Sequence, residues 1–223
     1  MQIVVAGGHG KVAMRLHRLL AERGDRARGL IRNPDHAPDL EAAGAEPVLC
    51  DLEREDSGAI AAHLEGADAA VFAAGAGPGS GPERKQTVDL GAAAKLIDAS
   101  REAGVERYVM VSAIAVERPA SWSPQMRPYY EAKRAADDAL RASGLAFTIV
   151  RPGRLTDDPG TGQIEIAAQL ERGGEISRDD VAGTLVAVLD EPRTAGIGFD
   201  LIGGSTPIEA AVAAIVEAEA ASG

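Results

Sequence analysis

The sequence predicts a doubly wound α/β domain, in which helices cover both faces of a parallel sheet. Short apolar runs alternate with amphipathic segments of helix length from residue 3 to residue 150. The apolar runs are continuous in Val, Ile and Ala, which is typical of strands buried on both faces. The 223 residues suit one large domain, and right-handed crossovers between the strands then give the doubly wound arrangement.

Each element follows from a local signal. Continuous apolar runs predict strands at residues 3–6, 27–31, 47–50, 69–73, 107–111 and 146–150. Apolar residues at helical spacing, or alanine-rich composition, predict helices at residues 11–23, 38–43, 57–64, 83–103 and 127–143. In the first helix one apolar face carries Val12, Leu16 and Leu20. Glycines end three of the helices, at Gly44, Gly104 and Gly144.

The pattern weakens after residue 152. Strands at 162–168 and 198–202 and helices at 178–189 and 207–221 are expected there. This segment is too short for a large second domain. We therefore expect one domain over residues 1–223, with 1–152 as its core and 153–223 as a short carboxyl-terminal appendage closing one side of a substrate cleft.

Composition excludes several classes of protein. The 34 acidic and 23 basic residues give a net charge of −11, which argues against a nucleic-acid partner. The lone cysteine, Cys50, excludes an intramolecular disulfide framework and a cysteine cluster for zinc, and no metal is expected. No apolar run reaches the roughly 20 residues of a membrane helix. Residues 1–6 carry no basic leader, so we expect a cytoplasmic protein without a membrane partner.

A glycine-rich turn follows the first strand directly. Its pattern is G-x-x-G-x-x-A and ends at Ala13. Glycines let the chain turn sharply and approach a pyrophosphate, and the next helix presents free N–H groups to the anion. The alternative is an ordinary strand-to-helix turn, but the position at the first crossover favours a Rossmann-type dinucleotide site. The turn residues expected at the cofactor are Gly7, Gly8, His9, Gly10, Lys11 and Val12.

The end of the second strand predicts the cofactor. Proteins that bind NAD usually have an acid at this position, which binds the ribose. This chain instead has Arg32 followed by Asn33, and the first acid, Asp35, lies beyond a proline. A guanidinium suits the 2′-phosphate of NADP, so NADP(H) is favoured over NAD(H). The alternative is a solvated surface arginine.

Two further strand ends carry candidate cofactor contacts. Asp51 and Leu52 follow the third strand, where an acid can accept from the adenine amino group and leucine can cover a ring face; the alternative for Asp51 is a cap or turn residue. After the fourth strand, small residues let a cofactor ribose pass close to the chain: Ala73, Ala74 and Gly75.

The candidate catalytic residues are Ser112, Tyr129 and Lys133. Ser112 ends the fifth strand, and Tyr129 and Lys133 are four residues apart on one helix face. Ser112 is expected to bind a substrate carbonyl oxygen and Tyr129 to supply a proton, with Lys133 lowering the pKa of the tyrosine and holding the nicotinamide ribose. The alternative is a pair of exposed helix residues. The substrate pocket is expected to include Trp122 and the Gly/Pro-rich residues 74–82.

Several segments together resemble the atypical short-chain dehydrogenase/reductases, nearest to their NAD(P)H-binding, NmrA-like and sugar-epimerase-like members. They are GGHGKVA, IRNPD, VSA, YYEAKRAADDAL, FTIVRPGRLTD and ISRDDVAGTLVAVLDEP. The resemblance implies a Rossmann sheet and places Tyr129 and Lys133 in the catalytic positions. It also implies cofactor contacts at Gly7, Gly10, Arg32, Asp51, Lys133, Pro152, Gly153 and Arg154.

Three functions remain open at this point. The first is an NADP(H)-dependent oxidoreductase acting on a small carbonyl, alcohol or quinone-like substrate, with direct transfer to a planar acceptor as a variant that would not need Tyr129. The second is an NADP-binding redox-sensing protein without turnover. The third is a nucleotide-sugar epimerase, which usually needs a larger carboxyl-terminal domain. A small-molecule substrate is the expected partner, and a homodimer is an open alternative to a monomer.

Overall fold

The computed structural model describes residues 1–77 and 79–221 and shows one large sheet covered by helices. The strands are β1 Gln2–Ala6, β2 Arg26–Ile31, β3 Ala45–Leu49, β4 Ala69–Phe72, β5 Arg107–Val111, β6 Ala146–Pro152, β7 Arg154–Thr156, β8 Gln163–Ala167, β9 Glu175–Ser177, β10 Ile197–Gly203 and β11 Thr206–Pro207. The helices are α1 Lys11–Glu22, α2 Ala37–Ala42, α3 Ser57–Leu64, α4 Pro82–Arg84, α5 Ala93–Glu102, α6 Arg127–Arg141, α7 Arg178–Asp190 and α8 Ile208–Ala220. A π-helical segment, Lys85–Ala92, joins α4 to α5.

The nine-stranded sheet has the order β11-β8-β10-β6-β5-β4-β1-β2-β3. Its seven strands from β10 to β3 are mutually parallel, and β8 runs antiparallel to β10 at one side. The chain order reverses beside β1, which pairs with β2 on one side and with β4 on the other. A crevice at the carboxyl ends of β1 and β4 follows, which is where open parallel sheets bind ligands.

Both faces of the sheet are buried, as the continuous apolar runs predict. Along β1, Ile3 and Val5 belong to one hydrophobic cluster and Val4 and Ala6 to the other. The first cluster also contains buried residues of α1, α7 and α8, and the second contains residues of α3, α5 and α6. The predicted doubly wound Rossmann-type fold is confirmed.

Residues 153–223 are packed into the main fold more closely than the predicted appendage. β10 lies parallel to β6 within the main sheet, and α7 packs against α1. The small parallel pair of β7 and β9 lies outside the main sheet. It is this part of the segment that borders the predicted cleft, through Arg154 and Leu155.

No helix in the described part of the chain combines the length and the apolar character needed to cross a bilayer.

Candidate active site and cofactor groove

Two cavities lie side by side at the carboxyl edge of the sheet. One, of about 320 Å³, follows the glycine turn and the ends of β2 and β3. The other, of about 970 Å³, lies over the ends of β5 and β6. Ala73, Ala74 and Gly75 line both, so the two cavities form a continuous groove.

The groove collects most of the predicted site residues. The smaller cavity is lined by Gly7, Gly8, His9, Gly10, Arg32, Asp51 and Leu52. The larger is lined by Val12, Ser112, Tyr129, Lys133, Pro152, Gly153 and Arg154.

The glycine turn has the geometry of a phosphate cradle. Gly7 has a φ of +78°, and a Cβ there would lie 2.6 Å from the Cα of Ala74. A Cβ on Gly10 would meet the carbonyl oxygen of Gly7 at 3.0 Å. Gly10 is the N-cap residue immediately before α1, whose amino end has neither a side-chain cap nor an acid in its first turn. The N–H groups of Gly8 and Gly10 are used within the protein, but the first turn of α1 offers uncapped N–H groups to an anion, and the residues present fit a dinucleotide pyrophosphate.

A buried histidine supports this turn from below. His17 has no exposed surface, and its Nε2–H donates to the carbonyl oxygen of Gly8 over 3.0 Å. Burial lowers the pKa of His17 to about 4, with the hydrogen bond to Gly8 opposing that shift. The imidazole is therefore neutral at physiological pH. Sequence reasoning missed this residue, because a histidine on an apolar helix face carries no motif.

The far end of the smaller cavity holds an ionic cluster. Arg32 lies 3.1 Å from the Glu53 carboxylate, and Arg84 contacts the same carboxylate oxygen at 2.9 Å. The Thr87 hydroxyl donates to the other Glu53 oxygen at 2.8 Å. An acid does therefore face Arg32, but it comes from the loop after β3 and not from β2.

Asp51 has a local structural role in addition to its place on the cavity wall. Its Oδ1 accepts from the Glu53 backbone N–H at 3.0 Å, and its other oxygen lies 3.6 Å from Arg54. This contact matches the turn-residue alternative for Asp51. Cys50, in the floor of the same cavity, is buried. Burial, together with the nearby Glu55 carboxylate, raises the pKa of its thiol to about 12.

In the larger cavity, Lys133 is held by groups that sequence reasoning did not single out. Its ammonium donates to the Val111 carbonyl oxygen at 3.1 Å and lies 3.5 Å from Oδ1 of Asp89. Both charged side chains are almost completely buried. Asp89 belongs to the π-helical segment, a rare geometry that is frequent at functional sites.

The pKa of Tyr129 differs from the expected one. Burial raises its pKa well above the usual range, and the negative charge of Asp89 raises it further. The expected lowering of this pKa by Lys133 is wrong for the described structure, because burial and the Asp89 carboxylate both raise it. No hydrogen bond joins Tyr129 to Ser112 or Lys133 within the described residues. The phenol is therefore protonated at neutral pH, which suits a proton donor and not a base.

Ser112 lies above a buried ionic network. Its hydroxyl is buried, makes no hydrogen bond of ordinary geometry, and faces the Asp137 carboxylate. Asp137 lies 3.3 Å from Arg151, and Arg151 also contacts Glu117 at 2.9 Å. Burial raises the pKa of Asp137, with Arg151 opposing that shift. Ser112 lines the larger cavity, so its hydroxyl can exchange the Asp137 carboxylate for an oxygen atom of a ligand.

Three predicted residues have other contacts. The Lys11 ammonium pairs with Asp157 at 2.5 Å, and the Asn33 side chain accepts from the Asp35 backbone N–H, so neither side chain faces the groove. Trp122 is buried, stacks on Tyr130 with ring centroids 5.5 Å apart, and donates to the Ala115 carbonyl oxygen. Trp122 therefore supports the wall of the larger cavity from behind, whereas the Gly/Pro-rich loop lines it through Gly77, Gly79 and Ser80.

The groove lies where the strand order reverses. It combines a glycine turn, an uncapped helix and a serine–tyrosine–lysine set, and these features together are typical of NAD(P)-binding Rossmann proteins. Residues 7–192 match the model of the NAD(P)H-binding family, and the chain belongs to that family.

Three similar proteins were found across nearly the whole chain. A Bacillus subtilis protein described as the uncharacterized sugar epimerase YhfK is 45% identical over 95% of this chain and 99% of its own. A putative NAD-dependent epimerase/dehydratase from Bacillus halodurans superimposes with a TM-score of 0.90 at 34% identity, covering 98% and 99% of the two chains. The oxidoreductase ylbE from Lactococcus lactis superimposes with a TM-score of 0.86 at 27% identity, covering 97% of each chain. The chain is thus a member of an NAD(P)H-binding, oxidoreductase- and epimerase-like family.

Proposed function

We propose that the protein is an NADP(H)-dependent oxidoreductase of the atypical short-chain dehydrogenase type. Its substrate is a small carbonyl, alcohol or quinone-like molecule. One observation carries the proposal: Ser112, Tyr129 and Lys133 line the same cavity, and that cavity continues into the groove along the glycine turn. The oxidoreductase named among the similar proteins supports the same reaction class.

The proposed roles follow from the contacts of each side chain. The bound cofactor supplies hydride chemistry. The Ser112 hydroxyl, which lines the cavity, turns from Asp137 to donate a hydrogen bond to the substrate carbonyl oxygen. Tyr129, kept protonated by burial and by Asp89, delivers a proton to that oxygen. Lys133, oriented by Asp89 and Val111, has donor capacity left for the nicotinamide ribose.

The cofactor preference and cellular setting are proposed on separate grounds. Arg32, exposed at the end of β2, suits the 2′-phosphate of NADP, with a cavity wall behind it. The cytoplasm is the proposed compartment, and a small molecule is the proposed partner. A homodimer is the assembly to test first, since cyclic dimers are the commonest oligomers.

A second candidate is an NADP-binding sensor without turnover. The Asp89–Lys133 pair favours it, because an ammonium that is already neutralised stabilises a phenolate at Tyr129 less. A nucleotide-sugar epimerase is a third candidate, suggested by the names of two similar proteins. The short β7–β9 pair and adjoining loops offer a small platform for a sugar nucleotide, so we rank it third.

The test is NADPH oxidation by the full chain over a panel of aldehydes, ketones, quinones and free flavins. The proposed function predicts cofactor oxidation that depends on both protein and one acceptor class. Tight NADPH binding with no oxidation over the whole panel contradicts the oxidoreductase and supports the sensor. A UDP-sugar arm, in which epimer formation is followed without net cofactor oxidation, distinguishes the epimerase.

A further inference from the structure

The Glu53 carboxylate occupies the space between two guanidiniums at the adenosine end of the groove. Arg32 and Arg84 both contact Glu53 Oε2, at 3.1 and 2.9 Å, and Thr87 binds Oε1. The three charged residues of this cluster come from the end of β2, the loop after β3 and the end of α4, and all three line the smaller cavity.

The carboxylate is held there by its neighbours. Glu53 Oε1 accepts from Thr87, and the Glu53 carbonyl oxygen accepts from Lys95, which also binds two nearby carbonyl oxygens. The Glu53 side chain is 25% exposed, whereas the Arg32 and Arg84 side chains are 57% and 40% exposed. The two guanidiniums therefore keep open surface toward solvent, where a second anion can reach them.

We propose that Arg84 joins Arg32 in a two-guanidinium subsite for the 2′-phosphate of NADP, and that Glu53 is a built-in competitor for it. This rests on the proposed NADP(H) dependence and goes beyond it. A planar guanidinium pairs with carboxylate and phosphate through the same donors, so both anions draw on the same groups. Binding of the 2′-phosphate requires Glu53 to give up contacts to one or both arginines. Glu53 is thereby a specificity-determining residue that reduces the preference for NADP.

The experiment measures binding of adenosine 2′,5′-bisphosphate and 5′-AMP to the full chain by calorimetry, with NADP and NAD as the whole cofactors. These probes differ only in the 2′-phosphate and need no turnover. Because exposed ion pairs contribute modestly, Glu53→Gln should tighten the bisphosphate and NADP by about fivefold and leave 5′-AMP and NAD within about twofold. Arg84→Ala should weaken the bisphosphate and NADP by about tenfold and leave the other two within the same limit.

Matched controls separate the subsite from general electrostatics. Glu83→Gln removes an exposed acid next to Arg84 that is outside the cluster, and Arg101→Ala removes an exposed guanidinium at the end of α5. Neither should change the ratio of bisphosphate to 5′-AMP affinity. Circular dichroism and the melting temperature establish that each variant is folded.

Two results would overturn the proposal. Unchanged bisphosphate affinity in Glu53→Gln would show that the carboxylate does not compete. Equal weakening of both nucleotides in Arg84→Ala would show that Arg84 does not read the 2′-phosphate. Failure of the proposed function looks different, because then the parent chain binds neither NADP nor NAD, or binds them and transfers no hydride.

Discussion

Arg32 is one of the two arginines on which the proposed preference for NADP depends. A hydrogen bond to a charged group contributes about 1.5–3 kcal/mol, and Glu53 offsets part of it, so NADP should bind about tenfold tighter than NAD. Arg32→Ala should remove most of this difference while the NAD affinity persists. Titration of both cofactors into both proteins measures it. Equal affinity of the parent for NAD and NADP would refute the preference.

His17 makes stability depend on pH. Its pKa is about 4 in the folded protein, below the usual 6.5, so the unfolded chain binds the extra proton first as pH falls. Stability is therefore full above about pH 7 and decreases below pH 6.5, by about 2 kcal/mol on reaching pH 5. Urea unfolding at pH 7 and pH 5 measures the change, and His17→Gln should remove most of it. An equal loss in the variant would assign the pH dependence to other groups.

Tyr129 is the proposed proton donor. Tyr129→Phe removes only the hydroxyl, so folding and NADP affinity should persist while reductive turnover falls by about 10²–10⁴-fold. The raised pKa of Tyr129 adds a second expectation, since its proton is kept through the neutral range. Reduction should therefore show no loss between pH 7 and pH 9 from titration of this group.

Tyr130 supplies the matched control for that variant. It also lines the larger cavity, and its ring stacks on Trp122 at 5.5 Å. Tyr130→Phe removes a phenol hydroxyl from the same cavity but retains the stacked ring, so turnover should change little. If Tyr129→Phe turns over at the rate of the parent, the proton comes from water or from the substrate, and transfer to a planar acceptor becomes the better mechanism.

At the scale of elements, the glycine turn between β1 and α1 gives the most specific prediction for cofactor binding. A Cβ added at Gly10 would lie only 3.0 Å from the Gly7 carbonyl oxygen. The larger side chain of Gly10→Val should therefore intrude on the phosphate cradle. Cofactor binding should be lost while circular dichroism shows a folded protein. Gly58→Val in α3 is the control, because its Cβ would have no neighbour closer than 3.6 Å. Cofactor binding retained by Gly10→Val would place the phosphate site elsewhere.

The long elements could be predicted because their signals are local. Residues 57–64 and 107–111 were predicted with the bounds that the structure shows, and the other main elements, apart from the predicted helix 83–103, differ only at their ends. The short strands β7, β9 and β11 have two or three residues each and form only through partners distant in sequence. The predicted helix 83–103 contains the π-helical segment, because a register change in a helix has no compositional signal.

The residues of the candidate site also divide into those with a local sequence signal and those without one. The glycine turn, Arg32 and the Ser112–Tyr129–Lys133 set follow from residue type and position at strand ends. Glu53 and Arg84 could not be found in this way, since they are 31 residues apart and meet only in the fold. Asp89 was missed for a related reason, because the π-helical geometry and not a motif brings its carboxylate to Lys133. Because the Asp89 carboxylate contributes to the raised pKa of Tyr129, that pKa could not be predicted from the sequence either.

Over the whole molecule, the groove gathers cations in a chain of net charge −11. Arg32 and Arg84 lie at one end, and Lys133, Arg154 and Arg178 lie around the other. The order reversal beside β1 creates the crevice between them. The packing of α7 on α1 ties the carboxyl-terminal third to the same unit that holds the glycine turn. Asp51 and Glu53 balance the two arginines of the smaller cavity, whereas lining cations outnumber lining acids in the larger one, which favours an anionic ligand there despite the overall negative field.

The most direct test of the central claim is deuterium transfer from NADPH labelled at the nicotinamide C4 position, with the best acceptor from the panel. With an aldehyde or ketone as the acceptor, the account predicts that one of the two C4 labels appears in the alcohol product, bound to carbon, at one deuterium per cofactor oxidised. With a quinone or flavin, whose reduced form exchanges the transferred hydrogen with water, it predicts a primary deuterium isotope effect on cofactor oxidation. The rate should fall sharply in Tyr129→Phe with the same face of the nicotinamide still used. An alcohol product that lacks deuterium while NADPH is consumed, or a chain that binds NADPH and reduces no acceptor of the panel, would contradict the assignment as an NADP(H)-dependent oxidoreductase.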